Sequence, residues 1–156
     1  MTTDERTASQ NESQGESLAE QIGLTDQEFN AMGEIGAIYY QQGELEKART
    51  IFEGLVELNP RSAAAHAALG ALYTRIGEDD RALEHLNRAI DLDPQMIAPY
   101  VNRAEVMIKR GQAEQAVADI RRAVELDPEE KDAAANRARA LAVAIAEAVQ
   151  AAQGKH

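Results

Sequence analysis

The chain has 156 residues, a formal net charge of −11 at pH 7, 44% hydrophobic and 28% charged residues, and no cysteine. That length can bury a hydrophobic core, while the acidity argues against nucleic acid or an anionic membrane as the main partner. The missing cysteine removes disulfides, a thiol nucleophile and Cys-based zinc sites from consideration.

Residues 1–16 are polar throughout and are expected to be disordered. They lack the basic-then-apolar layout of a signal peptide, and the longest apolar run, ALAVAIA at 140–146, falls well short of the roughly 20 residues of a membrane span. A cytoplasmic location is therefore expected. Next, Ser17 with Glu20 and Thr25 with Glu28 each spell a capping box. They predict a short helix and turn over 17–24, with a break at Gly23 and a second helix reaching back to Thr25.

From there a period of 34 residues governs the chain. Pro60, Pro94 and Pro128 obey it, as do Gly43, Gly77 and Gly111, and Ala48, Ala82 and Ala116. Each period holds two helical patterns. In the first, stripes at i, i+3, i+4 and i+7 read Met32, Ile35, Gly36, Tyr39; His66, Leu69, Gly70, Tyr73; and Tyr100, Arg103, Ala104, Met107. A glycine then ends the helix in a left-handed cap. The second helix ends before a proline, which turns the preceding residue away from helix. Small residues at Gly36, Gly70 and Ala104 let the helices approach closely. Arg103 stands where an aliphatic residue is expected, its stem packing and its head reaching solvent.

Residues 131–153 predict a long final helix with no partner helix. Between Ala140 and Ala152 only Glu147 and Gln150 interrupt the apolar residues. Such a helix usually covers something besides its own array, and self-association is one outlet.

The bulky residue, Leu-Gly and Tyr of the middle period (His66, Leu69–Gly70, Tyr73), continued by Ala82, Ala89 and Pro94, resemble the tetratricopeptide repeat family. The resemblance covers residues 29–130, within a repeat region of 25–130. It implies an all-α fold: three helix-turn-helix repeats in a right-handed superhelix with a concave groove, a short amino-terminal helix and a long carboxy-terminal helix. The face opposite each packing stripe carries Asn30, Gly33, Ala37, Tyr40; Ala64, Ala67, Ala71, Thr74; and Ala98, Val101, Glu105, Ile108. By the resemblance this face lines the groove. A water-exposed face is normally polar and this one is mostly small or apolar, although a genome-wide bias toward alanine would produce some of the same residues.

Catalytic motifs are absent. His66 falls in a packing stripe, His85 is expected to face outward and His156 is terminal, and no metal, phosphate-loop or nucleophile-elbow motif is present. No cofactor and no metal are expected. Asn30, Asn102 and Lys109 form no basic ring, so the acidic chaperone tails bound by one subgroup of the family are disfavoured. An extended partner segment with apolar anchors suits the lining better. Phe52 with Leu55, LGALYTRIG (69–77) and Ala104-Glu105 before Gly111 are also similar to the translocator chaperones of type III secretion. That resemblance implies a hydrophobic client segment in the groove and homodimers through the amino-terminal helix. A generic scaffold that assembles a multiprotein complex is the alternative.

Overall fold

A computed structural model of the chain describes residues 15–155. Most of the polar tail expected to be disordered, and His156, lie outside them. The described residues form eight helices and no strand: α1 (Leu18–Gln21), α2 (Asp26–Gln41), α3 (Leu45–Leu58), α4 (Ala63–Ile76), α5 (Asp79–Leu92), α6 (Ala98–Lys109), α7 (Ala113–Glu125) and α8 (Ala133–Gln153).

The boundaries follow local chemistry. Both capping boxes close: the Glu20 carboxylate accepts the Ser17 N–H at 2.6 Å and the Glu28 carboxylate accepts the Thr25 N–H at 2.9 Å. These bonds satisfy N–H groups that a helix start otherwise leaves without partners. The turns within the three repeats pass through Gly43, Gly77 and Gly111 at φ of 79°, 81° and 76°, a region costly for residues with a Cβ. Between repeats, Asn59 and Asp93 each stand before a proline. Their side-chain oxygens accept the N–H two residues on, at 3.1 Å from Arg61 and 3.0 Å from Gln95.

α2 pairs with α3, α4 with α5 and α6 with α7, and successive pairs stack. The first helices also touch one another, α2 to α4 and α4 to α6, so they form an inner row. α8 continues that row by packing on both α6 and α7, occupying the place of a fourth first helix. Ala48, Ala82 and Ala116, 34 residues apart, are fully buried at the pair contacts, as is Ala104. Ile35 departs from the expected packing stripe: it is 49% exposed, whereas its equivalent Leu69 is 2% exposed. Leu69 packs in one cluster with Phe52 and Leu55 of the preceding repeat. Ile35 has no preceding repeat to cover it, because the four-residue α1 packs against α3 instead.

Two polar features refine the framework. The head of Arg103 is not free in solvent; its side chain is only partly exposed. It donates to both carboxylate oxygens of Asp119 on α7, at 2.7 and 2.6 Å, and to Asn87 of α5 at 2.9 Å. The bond to Asp119 raises the guanidinium pKa and keeps it charged despite partial burial. His85 does not face outward either; it stacks on His66 and Tyr73. His66 Nε2–H donates to the Pro60 carbonyl at 2.8 Å, so in the neutral ring Nδ1 accepts, and His85 Nδ1, 3.1 Å away, donates. Burial first, and the neighbouring His66 second, lower the His85 pKa, partly offset by Glu84 and Glu53.

Asp119→Ala removes the charged partner of the partly buried Arg103, leaving it only Asn87, and is expected to destabilise the chain by about 2–4 kcal/mol in urea unfolding. The double change Arg103→Leu with Asp119→Leu should cost less than Asp119→Ala alone. The depressed His85 pKa sets a pH dependence with a definite sign. Below about pH 6.5 the unfolded chain takes up this proton before the folded chain does. Stability should therefore be full above that pH and fall as the pH drops toward the lower folded value. Thermal unfolding at pH 7.5 and 5.5 checks this, since His85→Gln, which can still donate to His66, should remove that part of the loss.

Candidate peptide-binding groove

The inner row formed by α2, α4, α6 and α8 carries the candidate surface. At its amino-terminal end, α2, α3 and α4 enclose an apolar cavity of about 350 Å³. Asn30, Gly33, Ala37 and Ala64 line it, together with Phe29, Phe52, Leu55 and Ala68. The cavity exists because Gly33 has no side chain where α2 passes α3: a Cβ there would meet only Leu55 Cδ1, at 3.7 Å. One helical turn away, at Gly36, a Cβ would come within 2.5 Å of Phe52 Cε1. Gly36 thus closes the helix pair and Gly33 leaves it open. The volume is at the lower end of that of small-ligand pockets, and its polar rim consists of Asn30 and Glu34.

The remaining predicted groove residues are placed differently. Ala67 is 8% exposed and Val101 fully buried, so both are walls of the stack, and Ala71 is half-buried. Ala98 is exposed at the start of α6. Thr74 bonds back to the Gly70 carbonyl at 2.9 Å, and Tyr40 is covered by the Arg75 guanidinium, 4.8 Å from its ring centroid. Arg137 of α8 donates to Glu105 at 2.7 Å and to Asn102 at 2.9 Å, closing the carboxy-terminal end of the inner row. Lys109 is held by Asp79 at 2.9 Å. Asn102 and Lys109, two of the three polar groups the sequence offers to a ligand, are therefore engaged within the chain.

Phe29, Phe52, Leu55 and Ala68 escape a reading of opposite helix faces because they belong to the packing side. They meet the groove only through the gap at Gly33. Arg137 escapes it because nothing in the sequence places α8 in the inner row. Among the described residues no group of three or more His, Asp or Glu could hold a metal ion, and no helix is long and apolar enough to cross a membrane.

No curated protein matches the sequence. Solved structures share the fold. The type III secretion translocator chaperone SycD of Yersinia enterocolitica aligns with a TM-score of 0.75 at 20% identity, over 83% of this chain and 98% of that one. A type III secretion complex from Aeromonas hydrophila aligns with a TM-score of 0.79 at 20% identity, over 93% of this chain and 98% of that one. PcrH in complex with the chaperone-binding region of PopB aligns with a TM-score of 0.67 at 25% identity, over 76% of this chain and 97% of that one. Sequence models described as tetratricopeptide repeat match residues 34–97 and 97–130. With the 34-residue period, the buried alanines and the stacked helix pairs, these matches show that the chain belongs to the tetratricopeptide repeat family.

Proposed function

We propose that the chain is a non-catalytic, cytoplasmic chaperone of the type III secretion translocator type, which holds an extended, apolar-anchored segment of its client along the inner row of helices. The observation that carries this reading is the cavity at Gly33. Its walls are Phe29, Phe52, Leu55 and alanines, and it opens on the face formed by the first helices. Burying one large aliphatic side chain there contributes about 2 kcal/mol, while the Asn30 amide at the rim can pair with the backbone of an extended segment. Support also comes from PcrH, solved with the chaperone-binding region of PopB, whose chain is matched along almost its whole length. A generic scaffold is the second reading, and it is favoured less because the similarity to the translocator chaperone SycD and to PcrH spans nearly all of each neighbour.

Gly33→Leu separates the groove from the fold. Leucine is the better helix former by about 0.5–1 kcal/mol, its Cβ has room, and its side chain fills the cavity. Affinity capture from the native cell, quantified by mass spectrometry, should recover a hydrophobic secreted client with the wild type and lose it about tenfold or more with Gly33→Leu, a change worth ~1.4 kcal/mol. Unchanged capture by a variant with unchanged helical circular dichroism counts against the groove. Recovery of a soluble multiprotein complex in place of such a client favours the scaffold.

A further inference from the structure

The bridge that closes the far end of the inner row uses only half of each group it joins. Arg137 of α8 donates one N–H to Asn102 Oδ1 at 2.9 Å and another to Glu105 Oε1 at 2.7 Å. A guanidinium can only donate, so the Asn102 amide cannot turn over without setting its NH2 against Arg137. Nδ2 is thereby held away from the bridge, where it bonds nothing among the described residues. Asn102 is only 8% exposed. Every fully enclosed side-chain nitrogen and oxygen among the described residues has a partner, so the unbonded Nδ2 must reach the surface through a small opening. Glu105 Oε2 is likewise unbonded among the described residues. The 34-residue period shows which surface this is. Asn102 takes the place of Ala68, one period earlier, and Glu105 that of Ala37, two periods earlier. Both alanines line the Gly33 cavity. Asn102 and Glu105 lie three residues apart on α6 and are neighbours on one helix face, so they set a donor and an acceptor side by side on the inner row.

We infer that, given a client held along the inner row, Asn102 and Glu105 grip the backbone of one residue of that client. Nδ2 of Asn102 donates to its carbonyl and Oε2 of Glu105 accepts its N–H. An extended residue turns both of these groups to the same side, as in the residue pairs that exchange two bonds across antiparallel strands. The ligand is therefore a neutral, internal stretch of extended chain. A free carboxy terminus would bring a second carboxylate against Glu105, and the one cation beside it, Arg137, is already shared between Glu105 and Asn102. An amide donor in so closed a site is poorly hydrated, and the client's carbonyl supplies the partner it lacks. Backbone contacts of this kind do not depend on the client's side chains. The apolar anchor at Gly33 then supplies affinity, while the pair on α6 fixes the register of the segment.

The probe is a fluorescently labelled, amide-capped peptide that the full-length wild type selects from a phage-displayed random library, with binding read by anisotropy. Asn102→Asp keeps an oxygen for Arg137 and replaces the donor with a second acceptor. It should raise the dissociation constant about tenfold or more, ~1.4 kcal/mol, with unchanged helical circular dichroism. Asn102→Ala installs the residue that the second repeat carries at this place, Ala68, and should weaken binding about fivefold, as loss of one neutral hydrogen bond does. In the wild-type complex the Asn102 side-chain NH2 resonances should move on saturation with the peptide. Unchanged binding by Asn102→Asp alongside loss of binding by Gly33→Leu overturns the inference and leaves the groove standing. Binding indifferent to both substitutions, or a library from which the wild type selects nothing, overturns the groove as well.

Discussion

The first two helix pairs close at a glycine where a methyl group has no room, and the third closes at Ala104, which is fully buried. A Cβ at Gly70 would lie 2.7 Å from Leu86, and one at Gly36 would lie 2.5 Å from Phe52. The partner helices present alanines with no exposed surface at Ala48, Ala82 and Ala116. Close approach of this kind brings long rows of side chains into contact, and dispersion at native density rewards it. Small residues recur at this contact every 34 positions, as Gly36, Gly70 and Ala104 facing Ala48, Ala82 and Ala116. Stacking of equal units follows, with each repeat supported by its neighbours.

The candidate groove is a by-product of that closure. Where the small residue sits against a large one, as at Gly36 and Phe52, the pair seals. Where it sits one turn off the contact, as at Gly33, the pair leaves a hole beside Phe29 and Leu55. The groove therefore draws its apolar walls from the core and needs few exposed apolar residues of its own. Its far end is closed by charge, since Arg137 ties α8 to Asn102 and Glu105 of α6. The two ends of the inner row are thus unlike, one open and apolar, the other occupied by the chain's own final helix.

Equivalent positions in the repeats carry the same job with different chemistry. His66 and Tyr100 lie 34 residues apart and both reach the carbonyl of the proline six residues before them, Pro60 at 2.8 Å and Pro94 at 2.9 Å. Arg75 and Lys109, also 34 apart, reach back to the preceding repeat, to the Tyr40 carbonyl and to Asp79. Substitution at such positions keeps the contact and changes its consequences. A histidine in place of tyrosine brings a titratable ring against His85, and Arg103 in place of an aliphatic residue requires Asp119 beside it.

How much was legible in the residues follows from the range of the forces involved. Helix starts, turns and the period of 34 depend on neighbours within one or two turns: capping boxes, glycines at positive φ, asparagine or aspartate before proline. All of these stood in the sequence and settled the repeat family. Which face of a helix is buried depends on what lies beyond it, and there the residues alone misplace Ile35, His85 and the head of Arg103. The alanine-rich face at 64, 67 and 71 shows the division most clearly. Helical periodicity puts the three residues on one side, but stacking against the adjacent repeats buries Ala67, half-buries Ala71 and leaves only Ala64 at the cavity. Local chemistry determined the helices and their repeat; the spacing between helices, set by packing across repeats, decided which small residues became a surface.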